Sequence, residues 1–400
     1  MEIETLKRMM GIMDVVTVNG KAYISNRFYN AFIIYNIQEG AIESVERFEH
    51  MDLSSFAYHG GCVAHNGTLY FYPDNGYGVH AYNLDSGCQK YYDLGFSQVG
   101  YAHIFQEKLM LFPFYAEQGL IAINLKEEQP NVRQEWWDAS RILGDVGSNF
   151  LYTGMYDDNK VWSHCTKSNY LLISDCQNHL IEKYTINVDE KRLYGSAYDG
   201  KDFWFTVVGE DIIYQWNINE GLRNCFKPGF IVRERLQDVS PSRKLVCVRG
   251  FVFIIQCNEN ALYLLNKETG KMELLSRFPA GVIYPKAKYW SIKEKIDKNK
   301  LYLFCDVTSM IIEIDLNSLN VRYISTQIIA DKVFDEYLTQ IWDSIFIDMI
   351  KTDCLYENGY DWKVYISNFI KLDRERYSGN TEFFLKENNG HKIYREVVTK

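Results

Sequence analysis

Residues 56–96 contain four consecutive segments with the residue pattern of β-strands, each closed by a tight turn. The two halves of this stretch read FAYHGGCVAH-NG-TLYFYP and YGVHAYNL-DSG-CQKYYDLGF. Asn66-Gly67 and Asp85-Ser86-Gly87 have hairpin-turn chemistry, because glycine adopts positive φ freely and Asn or Asp tolerates it. The stretch therefore predicts a four-stranded antiparallel meander.

The same pattern recurs along the chain at intervals of about 40 to 50 residues, the length of a propeller blade. In each unit the second strand follows a short polar turn, and these strands are predicted to begin at Lys21, Thr68, Leu109, Val161, Asp202, Phe251 and Leu301. A third strand, a polar turn and a fourth strand follow. Four strands in a repeat of this length are typical of a β-propeller blade. The sequence thus predicts an all-β fold, a seven-bladed β-propeller of four-stranded antiparallel blades.

Residues 1–328 are predicted to form this propeller. The blades are expected near 11–50, 56–96, 99–140, 150–189, 192–230, 242–279 and 288–328. Residues 329–400 are predicted to be a C-terminal extension, in which apolar residues over 331–350 recur at the i, i+3, i+4 spacing of an amphipathic helix. Such a helix either packs on the propeller's own surface or binds a partner. The tail is also a candidate for a strand that closes the first or last blade.

Across roughly residues 11–328 the chain resembles kelch-like and WD-like repeat proteins. The second unit is the most similar to kelch, with NGTLYFY, a turn, AYNLDSG and YYDL. It departs where kelch repeats place a Gly-Gly pair, since Pro73-Asp74-Asn75 stands there, and the Trp-Asp pairs at 137–138 and 342–343 do not follow third strands. The resemblance implies the propeller architecture and no particular activity.

Charge and cysteine usage exclude several classes of function. The formal net charge is −9 and the basic residues are scattered among acids, so no nucleic-acid partner is expected. The opening residues MEIETLKRMMGIMDVV predict neither a signal peptide nor a membrane anchor, and no membrane association is expected. The nine cysteines include no C-x-x-C pair, which favours reduced thiols in a cytoplasmic protein.

Motifs that carry chemistry are not evident. The Tyr194–Tyr198 segment reads YGSAY and lacks the final glycine of a G-x-S-x-G nucleophile elbow. His59 and His65 alternate onto one strand face but lie about 20 Å apart in extended chain, too far to share a metal. We therefore predict no catalytic residue, no metal site and no cofactor.

The most suggestive pattern is a set of tyrosines that each precede a second strand by eight to ten residues, which places them where a first strand enters the central channel. These tyrosines are Tyr58, Tyr101, Tyr152 and Tyr194. Also predicted near the channel mouth are His59, His103, Tyr289, Trp290 and Asp14, and the surrounding loops supply Arg27, Asp74, Arg233 and Arg235. Tyrosines in this position can stack on a ligand while their hydroxyls orient it. Large rings are equally needed to fill a seven-bladed core.

Two functions fit these observations. The first is a non-enzymatic scaffold that binds a protein or peptide partner through the loop face around the channel. The alternative is a propeller enzyme or carbohydrate-binding protein that takes a sugar or other small molecule at the tyrosine-rich mouth. An enzyme requires ionisable groups that converge with perturbed pKa values, whereas a docking face does not.

Overall fold

The structure is a computed structural model. It describes residues 12–26, 30–49, 59–74, 76–95, 98–126, 132–134, 136–144, 151–165, 168–188, 193–228, 242–256, 261–279, 292–305 and 310–325. The predicted C-terminal extension, with its helix over 331–350, lies outside the described residues. Among the residues that are described, no helix has the length and apolar character needed to span a membrane.

The described residues form seven four-stranded antiparallel sheets, each built from consecutive strands. From the channel outward, blade 1 has β1 (Ile12–Val18), β2 (Lys21–Asn26), β3 (Ala31–Asn36) and β4 (Ala41–Arg47). Blade 2 has β5 (His59–His65), β6 (Thr68–Pro73), β7 (Gly78–Asn83) and β8 (Gln89–Asp93). Blade 3 has β9 (Val99–Phe105), β10 (Lys108–Pro113), β11 (Leu120–Asn124) and β12 (Val132–Gln134), and a short helix α1 (Ala139–Leu143) follows it.

The other four blades repeat the plan. Blade 4 has β13 (Leu151–Met155), β14 (Lys160–Cys165), β15 (Tyr170–Asp175) and β16 (Leu180–Thr185), and blade 5 has β17 (Leu193–Tyr198), β18 (Phe203–Val207), β19 (Glu210–Asn217) and β20 (Gly221–Phe226). Blade 6 has β21 (Ser242–Val248), β22 (Phe251–Gln256), β23 (Ala261–Asn266) and β24 (Met272–Arg277), and blade 7 has β25 (Ile292–Asp297), β26 (Lys300–Cys305), β27 (Met310–Asp315) and β28 (Val321–Ser325). The predicted all-β, seven-bladed propeller is confirmed.

The burial of the strands follows from their place in a blade. The middle strands β6 and β22 are buried almost throughout, because both of their faces pack against neighbouring blades. The outer strand β16 (LIEKYT) is largely exposed. Continuous apolar runs are typical of strands covered on both faces, and the second strands of the blades show such runs in the sequence.

Inner strands of neighbouring blades contact one another around most of the ring, including β1 with β5 and β1 with β25. Blades 6 and 7 are joined by an ion pair between Lys244 Nζ and Glu294 Oε2 at 2.9 Å. At the seam between blades 7 and 1, Lys293 Nζ lies 3.5 Å from Asp14 Oδ1 and the rings of Tyr35 and Phe304 meet edge to face at 6.4 Å. In the sheets that the structure describes, side chains rather than a shared strand therefore close the ring.

Candidate functional site

The channel has two different ends. Every inner strand begins at the end where one blade connects to the next, which we call the mouth, and finishes at a hairpin turn at the opposite end. Tyr101 is the third residue of β9, and Tyr152 and Tyr194 are the second residues of β13 and β17. All three therefore lie near the mouth, on strands of three consecutive blades.

Two of these tyrosines form one aromatic pair. The rings of Tyr152 and Tyr194 pack edge to face with their centroids 5.9 Å apart, in the geometry that aromatic rings prefer. Tyr152 is 37% exposed, whereas Tyr194 is buried behind it. The pair thus presents the exposed ring of Tyr152, packed against the buried ring of Tyr194, on the inner strands of blades 4 and 5.

The two predicted histidines are placed differently. His59 is fully buried, and its Nε2 lies 3.1 Å from Nδ1 of the buried His80, with the ring of Phe48 packed against both. Burial is the main reason that the pKa of His59 lies well below its usual value, and the nearby His80 lowers it further. His103 lies towards the far end of the channel, where its Nε2 is 3.0 Å from the carbonyl oxygen of Asp158. Neither ring sits beside the tyrosine pair.

Asp74 follows β6 at the mouth end. Its carbonyl oxygen accepts a hydrogen bond of 2.6 Å from the backbone N–H of Gln98, which ties this loop to the start of blade 3. The remaining residues predicted for the site lie outside the described residues. These are Tyr58, Arg27, Arg233, Arg235, Tyr289 and Trp290.

A polar cluster around Asp14 forms the opposite side of the channel. Oδ2 of Asp14 accepts hydrogen bonds from the Tyr72 hydroxyl at 3.2 Å and the Cys62 backbone N–H at 3.4 Å. Oδ1 accepts from the backbone N–H of Val15 at 2.9 Å and pairs with Lys293 at 3.5 Å. Three blades thus converge on one carboxylate, and four donors satisfy it.

Glycine makes this convergence possible. Gly61 of β5 lies directly opposite Tyr72 of β6, and the tyrosine ring crosses the space above the glycine. A Cβ at Gly61 would lie only 2.0 Å from the Tyr72 hydroxyl oxygen and 2.6 Å from Asp14 Oδ2. Only a residue without a side chain therefore lets the phenol reach the neighbouring blade.

The inner strand of blade 7 adds alternating charges. Lys293 and Lys295 point to the blade 1 side of β25, and Glu294 points to the blade 6 side, where it meets Lys244. Burial alone would raise the pKa of Glu294, but the ammonium of Lys244 lowers it, so this carboxylate is ionised at neutral pH.

The other ionisable groups of the cluster are held in their protonated forms. Burial raises the pKa of Tyr101 to about 12, with a further contribution from the charge of Asp14. Burial, and then Asp14, also raise the pKa of the Tyr72 hydroxyl and of the Cys62 thiol. These phenols therefore act as hydrogen-bond donors at neutral pH, and the thiol is not activated as a nucleophile. No cluster of three or more metal-binding side chains occurs in the part of the chain that the structure describes.

Sequence reasoning placed Asp14 near the mouth but missed Tyr72, Lys293, Lys295, Lys244 and Glu294. Two signals point to them. Gly60-Gly61 faces an aromatic strand across a tight hairpin, and IKEKID is an inner strand with charges at three consecutive positions. β25 is the edge strand of its sheet on the channel side, and buried charges need a partner or a solvated cavity, so IKEKID indicates a polar channel wall.

Comparison with known proteins shows the fold and no family. No family model matches the chain, and no curated protein matches it significantly. The solved structures that resemble it include virginiamycin B lyase from Staphylococcus aureus, with a TM-score of 0.55 and 12% identity over 75% of this chain and 94% of that one. The computationally designed protein Ika8 has a TM-score of 0.51 and 10% identity, covering 80% of this chain and 89% of that one.

A third structure, the extracellular domain of a one-component system protein from B. thetaiotaomicron, has a TM-score of 0.52 and 15% identity over 75% of this chain and 38% of that one. At such low identity these similarities establish the propeller fold alone. The resemblance to kelch-like and WD-like repeats stays a prediction.

Proposed function

We propose that this protein is a non-enzymatic binding propeller that recognises a protein or peptide partner at the mouth of its channel. The observation that carries the proposal is the exposed ring of Tyr152, which is held by Tyr194 on the rigid inner strands of blades 4 and 5. Exposed tyrosines fixed by their surroundings are typical binding hot spots, because they contribute large contact area with little loss of conformational freedom.

The chemistry of the Asp14 cluster favours binding over catalysis. Tyr72, Tyr101 and Cys62 all have raised pKa values, so none of them is prepared to abstract a proton or attack a substrate near pH 7. Protonated phenols and lysine ammonium groups are instead suited to hydrogen-bonding and charge recognition. We place this activity in the cytoplasm, on the sequence-based prediction that the cysteines are reduced thiols.

Photo-crosslinking tests the proposal while the partner is still unidentified. We would introduce the photoreactive residue p-benzoylphenylalanine in place of Tyr152 and, as a matched control, in place of Met155. Met155 lies at the other end of the same strand and is 55% exposed. Irradiation in an extract of the source cell is expected to give a discrete protein adduct at position 152 and none at position 155. The same adducts at both positions, or none at either, contradict the proposal.

A quantitative test follows once the adduct is identified. Tyr152→Ala is expected to weaken the affinity by about 30-fold, the equivalent of about 2 kcal/mol for a hot-spot residue. An unchanged dissociation constant in isothermal titration calorimetry would remove the tyrosine pair from the binding surface.

A further inference from the structure

Aromatic residues recur at the mouth on blades 2, 3 and 4. Tyr77 lies in the loop between β6 and β7 and is 60% exposed. Phe114 and Tyr115 follow β10 in blade 3, where both are half-buried and their rings meet edge to face at 5.3 Å. Tyr152 of blade 4 continues the series. Three consecutive blades therefore each place at least one aromatic residue at the same end of the channel.

Backbone hydrogen bonds hold these segments side by side. The N–H of Gln98 donates to the carbonyl oxygen of Asp74 at 2.6 Å, and the N–H of Phe114 donates to the carbonyl oxygen of Gln98 at 2.8 Å. The N–H of Leu151 in turn donates to the carbonyl oxygen of Phe114 at 3.0 Å. This chain of bonds runs from the β6–β7 loop of blade 2 to the first residue of β13 in blade 4. The aromatic residues therefore belong to one continuous surface, which we call the aromatic rim and which consists of Tyr77, Phe114, Tyr115 and Tyr152.

The charged residues that flank the aromatic rim have one sign. The segments that carry and flank the rim are 73–78, 93–99, 113–120 and 151–152. Their described residues include the carboxylates Asp74, Asp93 and Glu117 but no lysine, arginine or histidine. Glu117 is exposed and forms no ion pair with any residue that the structure describes. Ring faces and carboxylates both attract cations, so this combination favours a positively charged ligand.

We propose that the aromatic rim and its flanking carboxylates are the docking surface for a positively charged, arginine-containing peptide segment of the partner. A guanidinium group stacks its flat face on a tyrosine ring while its N–H groups donate to a neighbouring carboxylate, and the compact ammonium group of lysine lacks this planar geometry. Opposite charges also accelerate the encounter of the two molecules. This inference rests on the proposed function, because it extends the surface around Tyr152 and specifies the chemistry of the partner.

Binding of model peptides to the purified full chain tests this chemistry without the natural partner. The probes are fluorescein-labelled decapeptides in which glycine alternates with arginine, with lysine or with glutamate. In fluorescence anisotropy we expect saturable binding of the arginine peptide, weaker binding of the lysine peptide and no binding of the glutamate peptide. Absence of binding by the arginine peptide, or equal binding of the lysine or the glutamate peptide, overturns the proposal.

Substitutions at exposed sites, which are not expected to unfold the protein, locate the binding. Tyr77→Ala is expected to weaken the affinity for the arginine peptide about 2- to 5-fold, as for an exposed cation–π contact. Leu180→Ala, at a site on the outer strand of blade 4 that is 57% exposed, is the matched control. Glu117→Gln is expected to weaken the affinity by about 2- to 5-fold. Glu39→Gln removes the same charge from the β3–β4 turn at the opposite end of the channel and is expected to change nothing. Equal losses in the rim variants and their controls overturn the assignment, because binding would then follow the net charge alone.

Cross-linking at Tyr77 separates this inference from the proposed function. With p-benzoylphenylalanine in place of Tyr77, irradiation in the cell extract is expected to capture the same protein as at Tyr152, and tandem mass spectrometry is expected to find arginine in the cross-linked segment. Capture at Tyr152 of a segment without arginine, or capture at Tyr152 with none at Tyr77, overturns this inference and leaves the proposed function standing. Absence of capture at both positions contradicts the proposed function, whereas failure of the peptide probes alone contradicts this inference.

Discussion

Blades 2 and 4 each place a glycine directly opposite an aromatic residue, but the two aromatic rings make different contacts. In blade 2 the Tyr72 ring lies above Gly61, and in blade 4 the Trp162 ring lies above Gly154, which is its direct partner across the hairpin. The Tyr72 hydroxyl crosses to a carboxylate on blade 1, whereas Trp162 packs edge to face on Phe203 of blade 5 at 5.9 Å. The glycine therefore allows the ring to lie across the strand, and the neighbouring blade determines whether the ring forms a hydrogen bond or packs on another ring.

The two interfaces also treat their ionisable groups differently. Asp14 collects four donors from three blades, while His164, two residues beyond Trp162 on β14, packs on Phe205 at 5.2 Å. Neither ring nitrogen of His164 has a hydrogen-bond partner among the described residues. Burial lowers the pKa of His164 to about 3, so the ring stays neutral at ordinary pH. Donors thus converge on the Asp14 carboxylate, whereas the buried His164 has none among the described residues and stays neutral.

The largest expected effect comes from filling the space above the two glycines. Gly61→Ala is expected to lower the free energy of unfolding by about 3–5 kcal/mol. The added Cβ overpacks the site, and the buried Tyr72 hydroxyl also loses its hydrogen bond to Asp14. Gly154→Ala brings a Cβ to 2.6 Å from Trp162 Cζ2 and is expected to cost only about 1–3 kcal/mol, since no polar group loses its partner. Urea unfolding measures both.

Gly250→Ala is the matched control, since a Cβ there has no atom within 4 Å. It is expected to change the free energy of unfolding by less than about 0.5 kcal/mol. A larger loss for Gly154→Ala than for Gly61→Ala would break the comparison between the two blades.

Acid sensitivity is expected from the apolar interface, in addition to any from the buried His59 of blade 2, whose pKa is also lowered. The folded pKa of His164 is about 3, below its ordinary value of 6.5, so the unfolded chain binds a proton that the folded chain does not. Stability is therefore fully present above pH 6.5 and falls as the pH drops towards 3, by about 1.4 kcal/mol per pH unit for this group. Between pH 7 and pH 5, the free energy of unfolding of His164→Leu is expected to fall by about 2 kcal/mol less than that of the wild type.

His179→Asn controls for loss of a histidine at the surface. His179 is exposed and has a φ of 56°, a conformation that asparagine tolerates. This variant is expected to follow the wild-type pH profile in chemical unfolding. If His164→Leu follows it as well, the buried ring is not the source of acid sensitivity.

The smallest effect concerns a single hydrogen bond in the polar interface. Tyr72→Phe removes the 3.2 Å bond to Asp14, while the donors from Val15, Cys62 and Lys293 stay in place. The expected loss in the free energy of unfolding is about 1–2 kcal/mol, as for a hydrogen bond to a charged group. Tyr77→Phe, at a site that is 60% exposed, is expected to change nothing. Equal stability of the two variants would show that Tyr72 acts through packing alone.

The fold could be predicted because its signals are local. Asn66 and Gly67 have φ values of 47° and 73°, and Gly221 and Gly270 have 77° and 68°, so the turn residues that mark the blades do adopt positive φ. Buried second strands such as β22 appear as continuous apolar runs for the same reason. Each of the seven predicted second strands begins within one residue of the observed strand.

The candidate site could be predicted only in part, because its contacts join different blades. Tyr72 and Asp14 are 58 positions apart, and no periodicity in the sequence specifies that they meet. The direction of side chains at the mouth is also altered by irregular pairing in β1, β5, β17 and β21. In β5 the irregularity falls between His59 and Gly61, and a bulge there re-aims the side chains around it. Strand alternation alone therefore could not show that His59 lies in the interior.

The closure between blades 1 and 7 has a mechanical consequence. Among the residues that the structure describes, Asp14–Lys293 and Tyr35–Phe304 contacts join blades 1 and 7, and no strand is shared between them, so side-chain contacts hold together the two ends of a linear stack of blades. In the part of the chain that the structure describes, tension across this joint breaks side-chain contacts, whereas every hairpin within a blade resists with a ladder of backbone hydrogen bonds. We therefore expect blades 1 and 7 to separate from each other under tension before any single blade unfolds.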